Sequence, residues 1–226
     1  MINLERYKHK AIRRWLFWRH DHTEAYRRLM DYRIEHHGPG EAVGGFGQGV
    51  GQLQYEFLVA RGLEPEHRLL DIGCGTLRGG QYYIDHLDVG NYVGMDISER
   101  AIEEGKARIP ELVETKRPDF HVNDDLRFEE IDEPVDYAIA QSVFSHLRRK
   151  QIVECFEYIP RAIGDGGVLF ATYYDARYKE MRSPKDFAYT PDQLRSFASR
   201  SDLEIEFIDP TEYPHPDGQR MMGVRV

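Results

Sequence analysis

The chain has 226 residues, 41% hydrophobic and 31% charged, which supplies a packed core for one ordinary domain and excludes a disordered chain. A formal net charge of −9 excludes a protein built throughout to coat nucleic acid, though a local basic patch is compatible with it. Two cysteines, Cys74 and Cys155, exclude a disulfide framework, and no apolar run approaches the roughly 20 residues needed to span a bilayer. The early cluster Trp15-Leu16-Phe17-Trp18 is too short for a signal core, so a reducing, cytoplasmic setting is expected.

Residues 3–35 read as helical. Leu4, Tyr7, Ala11, Trp15 and Trp18 fall on one helical face, and a second run begins near Thr23 with Tyr26, Leu29 and Met30 facing one way. Residues 1–37 hold nine Lys or Arg and five Asp or Glu, a local charge of +4, which leaves −13 for the remainder. The pairs His20-x-His22 and His36-His37 read as solvated histidines rather than metal ligands. No cysteine lies nearby, and an i, i+2 pair on a helix points apart.

Gly38 to Gly51 holds seven glycines and Pro39 and reads as a linker or lid. A short helix is expected after it, around Leu53, Phe57 and Leu58. Residues 1–50 are therefore read as a helical extension with its glycine-rich loop, and 51–226 as the main domain.

From Arg68 the pattern alternates. Strands are predicted at Arg68–Ile72, Tyr92–Asp96, Asp119–Val122, Tyr137–Ala140, Gly167–Thr172, Leu203–Ile208 and Met221–Val226. Helices are predicted at Leu77–Leu87, Glu99–Arg108, Arg148–Ile159 and Pro191–Ser199. Ser98 suits an N-cap, and Thr190, Pro191 and Gln193 together form a capping-box start. Alternating β and α units predict an α/β fold, a mainly parallel sheet with helices on both faces. The last two strands are joined without a helix, so the final strand is expected to run antiparallel.

The strongest local signal is Leu69-Leu70-Asp71-Ile72-Gly73-Cys74-Gly75-Thr76-Leu77-Arg78-Gly79-Gly80, a buried strand, a tight turn and a helix start. Glycines let the backbone turn sharply and let a ligand approach without a Cβ in the way. The dinucleotide fingerprint needs G-x-G-x-x-G, whereas Gly73-x-Gly75-x-x-x-Gly79 is one residue longer. Asp71 stands two residues before the first glycine, where a carboxylate suits a cationic ligand better than a pyrophosphate. Asp96, at the end of the second strand, suits a ribose diol, a role common to either nucleotide class.

These features together resemble the class I S-adenosylmethionine-dependent methyltransferases, over about residues 50 to 226. Asp71-Ile-Gly-Cys-Gly75 is similar to the family's first motif and Tyr92-Val-Gly-Met-Asp96 to its second. Asn123-Asp-Asp-Leu126 is similar to the third, Asp136 to Leu147 to the fourth, and Pro160 to Phe170 to the lead into the fifth strand. The resemblance implies a Rossmann-like, seven-stranded, mostly parallel sheet with a reversed last strand. It implies S-adenosylmethionine as cofactor; no metal is expected from the residues. The carried-over site has Asp71, Gly73 and Gly75 at the methionine end, with Cys74 and Arg78 also in the cofactor site and Cys74 itself a packing residue and not a nucleophile. Asp96 lies at the ribose and Asp124 and Asp125 at adenine, with Asp124 and Asp125 as rival registers for the acidic contact, and Ile97 and Leu126 supply apolar walls. Gln141 and Ser142 lie near the sulfur. Arg78-Gly79-Gly80 and Gly51-Gln-Leu-Gln54 resemble a bacterial subgroup that methylates cell-surface glycans or small metabolites.

A hydroxyl acceptor benefits from a base, and His146, after the fourth strand, has the ordinary pKa for one. The bland alternative is a histidine that only packs or caps a helix. Tyr173, Tyr174 and Asp175 follow the fifth strand and are expected to face the acceptor, or only to roof the pocket. The N-terminal helices read either as a cover over that pocket or as a membrane-surface helix, and the acidic residues mixed among them favour the cover. The expected activity is methyl transfer to a small-molecule acceptor, first a sugar or metabolite hydroxyl, with nitrogen second. A chain that binds cofactor without turnover, acting as a partner subunit, is the alternative. A nucleic-acid substrate is not expected, since no N/D-P-P-Y sequence is present and the charge opposes phosphate binding.

Overall fold

The computed structural model describes residues 4–38, 48–177 and 183–225. Two helices lead, α1 (Leu4–Arg19) and α2 (His22–His37), and α3 (Gln48–Ala60) follows. The alternating part runs β1 (Leu69–Ile72), α4 (Gly80–His86), β2 (Tyr92–Asp96), α5 (Glu99–Arg108), α6 (Pro110–Lys116), β3 (Asp119–Val122) and β4 (Val135–Ala140). It continues through α7 (Arg149–Ala162), β5 (Ile163–Asp175), β6 (Ala188–Tyr189), α8 (Pro191–Ala198), β7 (Glu204–Phe207) and β8 (Arg220–Arg225).

The sheet order is β3-β2-β1-β4-β5-β8-β7, with β6 paired to the end of β5. Only β8 is reversed, antiparallel to both β5 and β7. The sheet has eight strands rather than the expected seven because of the two-residue β6, too short to leave a periodic signal. β1 and β2 are buried along their whole length, as strands covered on both faces must be. Side chains alternate between two cores. Leu70, Val93 and Ala138 pack with Ile152, Phe156 and Leu194 of α7 and α8. Leu69, Tyr92 and Ile139 pack with Leu58, Tyr83 and Ile102 of α3, α4 and α5.

β2, β3 and α5 begin and end where the sequence places them. The caps at Ser98 and Thr190 form as read. The Ser98 hydroxyl accepts from the Ala101 amide at 3.0 Å, and Thr190 and Gln193 exchange reciprocal bonds at 3.3 and 2.9 Å. α4 starts at Gly80 instead of Leu77, because Leu77 sits at φ +57° inside the turn and cannot open a right-handed helix. α6, with Pro110 at its first position, was not expected; its seven residues have none fully buried, and half-buried Leu112 and Val113 are too few to mark a helical period. The glycine-dense segment also needs correction at its end. Gly49 and Gly51 belong to α3, and residues 39–47 lie outside the described residues. A Cβ on Gly51 would lie 2.2 Å from the Arg78 carbonyl oxygen, so this glycine lets α3 touch the turn after β1.

α1 and α2 form an antiparallel pair whose contact is Leu16 with Ala25 and Leu29. The stripe Tyr7, Trp15 and Trp18 faces outward, not inward. His22 is buried rather than solvated, with its ring 5.2 Å from that of Phe187. α2 is fastened on two sides. Met30 and Ile34 pack on Ala101 of α5, and the Ser98 hydroxyl donates to Asp31 at 2.6 Å. On the other side Gln151 of α7 donates to the Thr23 hydroxyl at 3.2 Å. The helix thereby spans the carboxyl ends of β1, β2 and β4.

Candidate active site

Strand order reverses at β1, with β2 on one side and β4 on the other, and the crevice at such a point is where open α/β sheets bind ligands. A cavity of about 310 Å³ occupies it. Its floor comes from the turns after β1, β2, β3 and β4, and its roof from α2, including Tyr26, Met30 and Arg33. All twelve residues that the resemblance assigns to the cofactor line this one cavity, as do His146 and Tyr174. Tyr173 and Asp175 do not. Neighbours on a strand point to opposite faces, so with Tyr174 toward the cavity these two turn away. The Tyr173 ring packs against Phe207, and Asp175 is bound by the Arg177 guanidinium at 2.6 Å.

The floor is acidic and buried. Asp71 accepts from the Tyr92 hydroxyl at 2.8 Å, and burial pushes its carboxyl up to about 7. Asp96 accepts the Gly75 amide at 2.8 Å and the Ser98 amide at 2.9 Å; burial still pushes its carboxyl up to about 6. Two buried carboxylates held this far above their ordinary range are stabilised in the charged form by a cationic ligand. Between them Gly73 and Gly75 have φ of +75° and +55°. A Cβ on Gly73 would lie 2.6 Å from a Val143 methyl, so the turn admits no side chain there. Burial, then Asp96 and Asp71, pushes the Cys74 thiol far above its ordinary range, which leaves it unreactive. Arg78 lines the same end, where the Asp71 charge acts on it.

After β3, Asp125 is engaged: it accepts the Arg127 amide at 3.0 Å, while Asn123 accepts the Asp125 amide at 3.0 Å. At the end of β4, Ser142 has a left-handed φ of +58°, stabilised by its amide donating to Thr172 at 2.7 Å. Gln219, from the segment before β8, accepts from Thr172 at 2.7 Å and donates to Ser142 at 3.0 Å. Tyr213 donates to Gln141 at 2.7 Å, and Tyr174 donates to Asp217. The β7–β8 connection thus forms one wall of the cavity, and nothing in its aperiodic sequence announces that.

His146 is held tightly. Its Nδ1 lies 3.0 Å from the Lys185 carbonyl oxygen and 3.2 Å from an Asp186 carboxylate oxygen. Its ring lies 4.8 Å from that of Tyr26. Burial, reinforced by the Lys185 charge, holds the imidazole below its ordinary pKa, against the pull of Asp186. Although burial pushes it upward, Asp186 is held far below the usual carboxylate range by bonds from His146, Lys185 and Ser183. With Nδ1 facing two acceptors, the proton of the neutral ring belongs on Nδ1, leaving a lone pair on Nε2. Burial, followed by the Arg148 charge, pushes neighbouring His22 down to about 4, so it stays neutral too.

Residues 70–169 match a family model described as a methyltransferase domain. That stretch holds the glycine turn, Asp96, the β3 turn and His146. It is a methyltransferase domain of the class I, S-adenosylmethionine-dependent family. Cyclopropane mycolic acid synthase 2 of Mycobacterium tuberculosis is 34% identical over 85 residues, 38% of this chain and 27% of that protein. Trans-aconitate 2-methyltransferase of Rhizobium rhizogenes is 31% identical over 102 residues, 45% of this chain and 36% of that protein. The matches thus span less than half the length of these curated relatives. Among solved structures, a S-adenosylmethionine-dependent methyltransferase from Clostridium acetobutylicum superposes with a TM-score of 0.65 at 12% identity, over 86% of this chain and 98% of its own. Magnesium protoporphyrin IX methyltransferase from Synechocystis, crystallised with S-adenosylmethionine, gives 0.59 at 19% identity, over 82% and 81%. Among the described residues no helix is long and apolar enough to cross a membrane, and no group of three or more His, Cys, Asp or Glu is arranged to hold a metal.

Proposed function

We propose that the chain binds S-adenosylmethionine and transfers its methyl group to a hydroxyl of a small acceptor, a sugar or metabolite. The observation that carries the reading is the pair of buried carboxylates, Asp71 and Asp96, flanking a turn in which Gly73 has no room for a side chain. That floor suits a ligand with positive charge and no phosphate. Bound there, the cofactor supplies an activated methyl group on a sulfonium.

The chain's own residues then do three things. Asp96 accepts from the ribose hydroxyls, while Asp71, Gly73, Gly75 and Arg78 hold the methionine end, Arg78 against its carboxylate. Asp124 takes the adenine amine, since Asp125 is engaged in its own turn. Ile97 and Leu126 supply apolar walls, and Gln141 and Ser142 lie toward the sulfur.

His146 takes the proton from the acceptor hydroxyl through Nε2. Asp186 and the Lys185 carbonyl orient the ring through Nδ1, the arrangement by which a carboxylate sets the tautomer of a catalytic histidine. α2 covers the acceptor side and, with Tyr26 and Met30, excludes water from it. Tyr174 faces that space, whereas Tyr173 and Asp175 are given no acceptor role.

The test is calorimetry with S-adenosylmethionine, followed by detection of S-adenosylhomocysteine with a panel of hydroxyl, amine and carboxylate acceptors. No binding overturns the cofactor assignment. Product with amines alone replaces oxygen by nitrogen as the acceptor atom, and binding without product from any acceptor leaves a non-catalytic partner subunit.

A further inference from the structure

α1 (Leu4–Arg19) carries a face that the fold leaves in solvent. Tyr7, Trp15 and Trp18 are 65%, 55% and 80% exposed. At 100° per residue they lie within a quarter-turn of one another, and the exposed Ala11 lies between them. The opposite side of the helix, Ile12, Leu16 and Phe17, is the one packed on α2. The periodicity of α1 is therefore real but faces outward, and burial of its own core does not account for two exposed tryptophans.

The charge around this stripe is one-sided. α1 holds six Lys or Arg and one acidic residue, Glu5. Exposed Lys8 and Arg19 border the stripe on one side, and exposed Lys10 and Arg14 on the other. The acidic residues of the segment, Asp21, Glu24, Asp31 and Glu35, lie beyond α1, at the cap of α2 or within it, and Glu24 is already bound by Arg27 and Arg28. A row of aromatic side chains with long cationic side chains along both borders matches the interface of a lipid bilayer. There indole rings sit at headgroup depth and Lys or Arg reach the phosphates.

We propose that α1 docks on an anionic lipid surface through Tyr7, Trp15 and Trp18, with Lys8, Lys10, Arg14 and Arg19 contacting the headgroups. Charge complementarity selects this occupant over a second copy of the chain. Two α1 faces brought together would set their cationic borders against each other, whereas anionic headgroups neutralise both borders. The docked helix lies in the plane of the surface and does not enter the hydrocarbon core, as its 16 residues and six cations require. α2 keeps its place beneath α1, over the cavity.

The experiment is co-sedimentation of the full chain with vesicles of mixed phosphatidylglycerol and phosphatidylcholine, with phosphatidylcholine vesicles alone as comparison. Sedimentation velocity without lipid runs in parallel. The chain is expected to partition onto the anionic vesicles, with its tryptophan emission shifted to the blue, and to release as salt rises. W15S/W18S is expected to lose at least about tenfold in partitioning, by removing apolar area from the contact. R14E/R19E is expected to lose at least about 30-fold, from about 1 kcal/mol for each cation removed at the surface. Both variants change exposed side chains, so their melting temperatures and S-adenosylmethionine affinities should match wild type. Failure of the wild-type chain to bind anionic vesicles overturns the proposal, as does equal binding to phosphatidylcholine alone. A dimer in lipid-free solution that W15S/W18S abolishes, without vesicle binding, reassigns the face to a second copy of the chain. None of these readouts depends on methyl transfer.

Discussion

Replacing Asp96 by Asn tests the acidic floor most sharply, because the side chain keeps its shape and loses its charge. In the structure both carboxylate oxygens accept, one from Gly75 at 2.8 Å and the other from Ser98 at 2.9 Å. Asparagine can accept only one of these bonds and turns its NH2 toward the other amide, which costs about 1–3 kcal/mol of stability. For the cofactor, the ribose hydroxyls lose a charge-assisted acceptor. A loss of about 2 kcal/mol, roughly 30-fold in Kd, is expected where wild-type Asp96 is ionised. Burial pushes that carboxyl up to about 6, so protonation matters within an accessible range. At about pH 8 it is charged and the full gap appears. At about pH 5, one unit below, about nine-tenths of the wild-type side chains carry a proton and behave much like asparagine, so the gap shrinks to about fourfold. Asp71 also titrates; burial, the larger cause of its raised pKa, acts in both proteins, while the part due to the Asp96 charge is lost in the variant, so Asp71 ionises somewhat more readily there. Calorimetry at the two pH values, with circular dichroism to show that each protein is folded, measures the difference. A gap of the same size at both would refute the claim that the Asp96 charge, raised in pKa by burial, contributes to binding.

His146→Ala is expected to lower turnover of a hydroxyl acceptor by roughly 10²–10⁴ while leaving S-adenosylmethionine affinity within about twofold, measured by steady-state kinetics and calorimetry. Full turnover would reduce His146 to a packing residue. Asp186→Asn removes a negative charge that raises the His146 pKa, so the acid limb of kcat/KM should move to lower pH; a pH–rate profile identical to wild type would show that Asp186 acts only on the fold. Gly51→Ala drives a Cβ to 2.2 Å from the Arg78 backbone oxygen and should destabilise the fold by about 1–3 kcal/mol, read by chemical denaturation, with weakened cofactor binding as the turn after β1 shifts. An unperturbed variant would show that α3 does not support that turn.

The floor of the site was legible because it is local. The Asp71–Gly80 segment and the acid ending β2 each declare themselves within a few residues, and topology then brings the strand ends together. The roof was legible only as a helical cover, without the residues it would present, and the far wall was not legible at all, because tertiary docking alone carries Lys185, Asp217 and Gln219 to the cavity from aperiodic segments. One misreading was avoidable: on a strand, Tyr173 and Tyr174 cannot both face the same space, and period two would have forced a choice. α1 marks a deeper limit. Periodicity found its stripe of Tyr7, Trp15 and Trp18, yet which side of a helix turns inward depends on the competing side, and here Ile12, Leu16 and Phe17 won.

The place of β8 has a consequence for how the molecule is made. This strand lies between β5 and β7, joined to β5 along Arg220–Arg225 and to β7 along Met222–Arg225. Until it arrives, the β5 edge of the main sheet stands open and the edges of β7 have no strand to join. A chain still emerging from the ribosome therefore holds the cofactor floor in its first strands but cannot seal the sheet. Those late edges are where premature pairing with another chain would begin, and loss of Arg220–Arg225 would remove the keystone rather than trim a tail.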